Sequence, residues 1–219
     1  MKNIGKNAPN RRLTGQSTQT VKLRKKTPRA RKRGRISDGG LEDSMYMEVD
    51  EIQRLFSVIK SKRDLALFRI AYHRGLRAHE IGLLKLSDWQ NDRLYVHRGK
   101  GSRSAEHLIT PKEKHALNMW VRVRGHERGP LFPSRNHQPI TRSRLDQLIK
   151  HYCELAKIPS AKAHMHALKH ACGTHLAEMG ESAENIKEYL GHRAISSTQC
   201  YLHFSKHRRQ AMLDRKSVV

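Results

Sequence analysis

At 219 residues, 37% hydrophobic and only 5% aromatic, the chain suits one medium-sized domain with an aliphatic core, plus a tail. Lys and Arg number 44 against 20 Asp and Glu, a formal charge of +24, and such a balance favours a polyanionic partner, nucleic acid first among them. Cys153, Cys172 and Cys200 form no CxxC pair and point to neither a zinc ribbon nor a disulfide framework, and no apolar run approaches the roughly 18 residues of a membrane span. A reducing cytoplasm is expected, with nucleoid association if the source is bacterial, and no membrane partner.

Residues 1–40 hold 13 Lys or Arg against one acid, Asp38, and so carry +12, half of the total charge. The densest stretch contains Lys22, Arg24, Lys25, Lys26, Arg29, Arg31, Lys32, Arg33 and Arg35, broken by Pro28 and Gly34. It is too poor in large apolar side chains to fold alone, and is expected to be a flexible arm that contacts DNA phosphates. Gly39-Gly40 closes it, leaving 41–204 as the folded domain and 205–219 as a C-terminal segment.

From Val49 the pattern changes: Val49, Ile52, Leu55, Phe56 and Ile59 fall at helical spacing. A second run, Leu65, Phe68, Ala71 and Tyr72, ends at Gly75, a residue favoured just past a helix. Residues 78–86 read as a short helix with Ile81 and Leu84 inward. Leu94-Tyr95-Val96 and His107-Leu108-Ile109 are β-prone runs on either side of Gly99, Lys100, Gly101 and Ser102, the pattern of a hairpin with Lys100 in its turn. Helical spacing returns at 111–124, with Pro111 at the first position, at 141–157, and at 166–179 and 182–190, the last two finishing at Gly180 and Gly191. The expected fold class is mainly α with a small antiparallel β-sheet.

Cleaving DNA without a metal needs a nucleophile, cations for the non-bridging phosphate oxygens, and a proton donor for the leaving 5′ oxygen. Three stretches supply such groups: Gly75-Leu76-Arg77 followed by Glu80; Gly99-Lys100-Gly101; and His166-Ala167-Leu168-Lys169-His170, then Gly191-His192, then Tyr201 nine residues on. Their order and spacing resemble the tyrosine recombinase (phage integrase) family over residues 45–204. The resemblance implies that Arg77 binds phosphate and Glu80 buttresses it. It also implies that Lys100 is the general acid, that His166 takes a proton or holds an oxygen, that His192 donates to phosphate, and that Tyr201 is the nucleophile forming a 3′-phosphotyrosyl link. No metal or nucleotide cofactor is implied. The implied partners are double-stranded DNA and a homotetramer on two DNA sites, with room for an accessory DNA-bending protein. Residues 205–219, through Met212 and Leu213, would pack on a neighbouring protomer.

Lys169 stands where the family has its second arginine. Charge survives, but the planar fork that binds two phosphate oxygens at once does not. Two accounts stay open: an active site adapted to an ammonium, or a catalytically impaired recombinase that acts as a DNA-binding regulator. A metal-dependent nuclease built on the 15 histidines is a third reading, for which His166 and His170 at i and i+4 lack an acidic companion. A ribosomal or RNA-binding role leaves the ordered C-terminal motif unexplained. Larger family members carry a separate helical domain before the catalytic one; here the basic arm is expected to supply that grip electrostatically, and in size the chain resembles the short fimbrial phase-switch invertases.

Overall fold

The computed structural model describes residues 46–99 and 102–204. The basic arm, Lys100 and the segment 205–219 lie outside the described residues. Eight α-helices and three short strands follow one another among the described residues: α1 Val49–Val58, α2 Lys62–His73, α3 Ala78–Leu83, β1 Trp89–Gln90, β2 Arg93–Val96, β3 Ala105–Leu108, α4 Pro111–Arg124, α5 Arg142–Leu155, α6 Met165–Glu178, α7 Ala183–Tyr189 and α8 Ser196–Phe204. None of these helices is long and apolar enough to cross a membrane.

Local chemistry explains where the helices begin. The side chains of Ser61, Thr110, Thr141 and Ser182 accept the backbone N–H three residues on, at the starts of α2, α4, α5 and α7. Each such cap is worth about 0.5–2 kcal/mol. At α4 the cap is reciprocal: Glu113 accepts the Thr110 amide at 2.8 Å while Pro111 occupies the first helical position.

The strands form one antiparallel sheet in the order β1-β2-β3, with Leu94 opposite His107 and Val96 opposite Ala105. Alternation along β2 buries Leu94 and Val96 and turns Tyr95 outward, and along β3 it buries His107 and leaves Leu108 exposed. The two-residue strand β1 and the helix α8, which carries Tyr201, are not marked by any periodicity in the sequence. Val49, at helical spacing with the core residues of α1, is exposed at the first turn of the helix, where it lines a surface pocket with Ile52 and Phe56.

The main core gathers Leu55, Leu67, Phe68, Leu76, Leu94, Leu117, Leu145, Ile149 and Leu168, drawn from helices α1, α2, α4, α5 and α6 and from the sheet. A smaller cluster of Cys172, Ala177, Ile186, Leu190 and Tyr201 joins α6, α7 and α8. Helix α6 belongs to both and is buried nearly all round, including Lys169, Thr174 and His175. Its small residues let the other helices approach: a Cβ on Gly173 would stand 2.7 Å from the Tyr201 ring.

Gly75 turns the chain between α2 and α3 with φ +55°, and a Cβ there would collide with Leu190. Gly75→Ala combines left-handed strain with overpacking and should destabilise the fold by about 1–3 kcal/mol. Urea denaturation measures this, and the same exchange at Gly180, which is also left-handed but has nothing within 4 Å of the added carbon, should cost less.

Candidate active site

The Gly75 turn sets the first part of the site. Its N–H bonds the Tyr72 carbonyl at 3.1 Å, and the Leu76 N–H reaches back to Ala71 at 2.9 Å, so α2 stops and the chain reverses to present Arg77 at the start of α3. One turn into α3, Glu80 is fully buried. It accepts the Arg77 amide at 2.8 Å and Arg77 Nη1 at 3.0 Å, and Nη1 also donates to Ser102 Oγ at 2.7 Å. The Arg77 side chain remains 34% exposed and lines an open cleft of about 550 Å³ together with His79, Arg142, Asp146, His164 and His166. A ligand in the cleft can therefore meet the guanidinium.

Two further cations crowd Glu80 from inside. Lys169, 1% exposed, donates its Nζ to the Gly75 carbonyl at 3.2 Å. Arg98 donates Nη1 to Glu80 at 3.2 Å and to the Gly75 carbonyl at 3.4 Å, and Nη2 to the carbonyls of Arg74 at 2.9 Å and Tyr189 at 3.3 Å. Burial works to raise the Glu80 carboxyl, but the Arg77 amide and the Arg98, Lys169 and Arg77 cations outweigh it and hold it below its ordinary value. The Lys169 ammonium is pushed down to about 7, first by burial and then by Arg77 and Arg98, with Glu80 opposing. Three cations around one carboxylate leave the cluster short of negative charge, a deficit that an anion in the cleft would relieve.

The histidines and Tyr201 form the other side. His192 follows Gly191, whose φ of +66° turns the chain, and its Nδ1 lies 3.0 Å from the buried Thr198 hydroxyl. An isolated β-bridge between Ser102 and His192 and a 2.8 Å bond from the Arg103 amide to Gly191 tie this turn to the hairpin that bears Ser102. The His192 ring stacks near Tyr201 with centroids 6.2 Å apart and planes 21° apart. His166 and His170, one turn apart on α6, meet edge to face at 4.3 Å, and His170 meets Tyr201 at 5.6 Å. Burial and the neighbouring cations push His192 down to about 4; burial, then His166, His164 and Lys169, push His170 to the same level. His166 is lowered too, by burial, Lys169, His164 and Arg77. These rings are thus kept neutral near pH 7. Tyr201 is 2% exposed, and burial drives its phenol upward, followed by Cys200 and Cys172, with Arg77 opposing.

Arg77, Glu80, His166, Lys169, His192 and Tyr201 are thus brought together, although they are spread over more than a hundred residues of chain. Lys100 and the basic arm fall outside the described residues. Arg98, Ser102 and Thr198 carry no role legible in the sequence, and His170 was set beside His166 only as a metal-ligand pair at i and i+4. Arg98 carries no local signal, because its partners come from residues 74–80 and 189. Among the described residues no group of three or more His, Cys, Asp or Glu is placed to hold a metal ion.

Residues 45–208 match the phage integrase family. The chain belongs to that family. This integrase-family chain is 32% identical over 176 residues to tyrosine recombinase XerC of Erythrobacter litoralis, covering 76% of this chain and 57% of the relative. To the type 1 fimbriae regulatory protein FimB of Escherichia coli K12 it is 34% identical over 145 residues, covering 64% of this chain and 72% of FimB. The fold matches that of the XerH site-specific recombinase bound to palindromic difH substrate in a post-cleavage complex, with a TM-score of 0.66 at 20% identity, over 78% of this chain and 52% of that one. The chain thus spans little more than half the length of the Xer relatives it matches, and about three quarters of FimB.

The depressed Lys169 ammonium gives the family member a pH signature. An unfolded lysine titrates near about 10.4, so between pH 7 and that value the unfolded state binds more protons than the folded one, and stability must rise with pH. The contribution is unfavourable below about 7, where the buried ammonium is charged, and fades towards the unfolded value. Urea denaturation from pH 7 to pH 9.5 should show stability rising in the wild-type chain relative to Lys169→Met; parallel curves would mean that Lys169 titrates normally.

Proposed function

We propose that the chain is a site-specific recombinase that cuts and rejoins double-stranded DNA through a 3′-phosphotyrosyl intermediate on Tyr201. The observation that carries this reading is the half-exposed Arg77 guanidinium, held by a buried carboxylate at the mouth of a cleft, with His166 beside it and Tyr201 packed against the same helix. The Tyr201 oxygen attacks phosphorus, and its O–P bond forms as the P–O5′ bond breaks. The phenolic proton passes to neutral His166, and Lys100 gives a proton to the departing 5′ oxygen. Arg77 and Lys169 neutralise the non-bridging oxygens as charge builds on them. His192 adds a donor: with the Thr198 hydroxyl donating to Nδ1, Nε2 carries the hydrogen. Rejoining reverses the sequence, a 5′ hydroxyl attacking the phosphotyrosine, so the energy of the broken bond is kept.

On this reading residues 22–35 lie along phosphates outside the cut site, four protomers assemble on two DNA sites, and residues 205–219 pack between neighbours, with or without a DNA-bending protein. The XerH complex with difH supports DNA as the partner.

A second reading is favoured by one observation: Lys169 is 1% exposed and its ammonium bonds the Gly75 carbonyl rather than facing the cleft, as in a site that binds DNA without cutting it. The adapted account is preferred, because Arg98 already occupies the Gly75 carbonyl that a guanidinium at 169 would contest.

A suicide duplex cut from the DNA flanking the gene, which traps the protein when a short 5′ fragment diffuses away, separates these readings. Wild-type chain should form a covalent adduct, and Tyr201→Phe should bind the duplex and form none. Lys169→Arg should give no large gain in rate, and Lys169→Ala should be at least tenfold slower, about 1.4 kcal/mol in the barrier. Adduct from Lys169→Arg alone would establish the impaired reading, and cleavage without adduct that is lost in chelator would favour the nuclease.

A further inference from the structure

Arg98 is a guanidinium with no access to solvent or ligand, its side chain 0% exposed. It cannot touch DNA, yet it is more heavily bonded than any group at the cleft. Its four side-chain bonds join Glu80 and the carbonyls of Arg74 and Gly75, which belong to the turn that presents Arg77, to the Tyr189 carbonyl, three residues before His192. Its own backbone N–H bonds Ser104 Oγ at 3.0 Å across the base of the hairpin, two residues before Lys100. The fit is close: a Cβ on Gly191 would stand 2.7 Å from Arg98 Cδ and 2.5 Å from the Arg103 carbonyl.

Burying a third cation beside Arg77 and Lys169 is not the economical way to stabilise a fold, since well-packed apolar groups often replace buried ion pairs without loss. What a guanidinium supplies that an apolar wedge cannot is direction, a planar fork that fixes the relative position of several acceptors. Here those acceptors belong to two segments, and the residue bearing the fork belongs to a third.

We infer that Arg98 is a positioning residue: it holds the Arg77 turn, the base of the Lys100 hairpin and the His192 turn in one register, and thereby sets the rate at which bound DNA is cleaved. The inference rests on the recombinase reading above. A lysine at 98 keeps the charge beside Glu80 but can reach only part of the acceptor set. Displacing reacting groups by about 1 Å can lower a rate on the order of a hundredfold. DNA affinity, which comes mostly from phosphate contacts elsewhere on the surface, should stay nearly constant.

The test uses the full chain and the suicide duplex that traps the wild type. Adduct formation is timed in single turnover, and affinity is read by anisotropy in a Tyr201→Phe background. Arg98→Lys should melt as a folded protein, bind within about threefold of its parent and form adduct thirty- to a hundredfold more slowly. Arg98→Gln, which removes the charge, should also shift the pH dependence of the rate upward, because a cation that depresses Lys169 is gone; a purely structural role would move neither the pH dependence nor the ratio of rate to affinity. Wild-type rate in a folded Arg98→Lys overturns the inference, as does a fall in affinity that matches the fall in rate. Failure of both variants to fold would make Arg98 a residue of the fold and overturn it too. Absence of adduct from the wild type, by contrast, sinks the recombinase reading itself.

Discussion

The buried Glu80 carboxylate is the constraint on which the rest of the site depends. Removed from water, it is tolerable only because the Arg77 amide, the Arg77 and Arg98 guanidinium groups and the nearby Lys169 compensate it. Those partners come from α3, the hairpin base and α6, so one charge requirement draws three stretches of chain to the same point. The Gly75 carbonyl completes the knot by accepting from both Lys169 and Arg98. With Glu80 removed, three cations would face one another in a poorly solvated pocket, and the turn that presents Arg77 would lose its anchor.

Burial, backed by the same excess of positive charge, governs the titration of the basic groups nearby. Together they keep His166, His170 and His192 neutral near pH 7. The phenol of Tyr201, buried against Gly173, resists ionisation. Among these groups Lys169 is the one whose titration falls nearest neutral pH, pushed down to about 7 by burial and then by Arg77 and Arg98. The lysine that stands in place of the family's arginine thus differs by more than the lost fork: arginine would be charged at every working pH, whereas this ammonium is pushed down to about 7.

Much of this was legible in the residues. The spacing of Gly75-Leu76-Arg77, His166, Gly191-His192 and Tyr201 picked out residues that the structure brings together, apolar periodicity announced α2 and α5, and Gly75, Pro111 and Gly191 marked the end of α2, the start of α4 and the end of α7. Helix α8 was not announced, because within 196–202 only Thr198 and Tyr201 are buried while the other residues are exposed or half-buried. The depth of Lys169 was hidden for a different reason. Helix α6 is buried on nearly all sides, so its sequence has no polar face to show which way a lysine points. Arg98 was invisible because its importance lies in carbonyls of residues far along the chain, and backbone acceptors carry no residue code.

The central claim is that the cluster around Glu80 is a receptor for a DNA phosphate, completed electrostatically when the anion binds. Calorimetric titration of the Tyr201→Phe chain with its duplex at pH 8, repeated in buffers of different ionisation enthalpy, counts the protons taken up on binding. Lys169 should be mostly uncharged in the free protein at that pH and charged beside the phosphate. The account predicts uptake approaching about one proton per bound site, lost when Lys169→Met is added; no uptake, or the same uptake with methionine at that position, would contradict it.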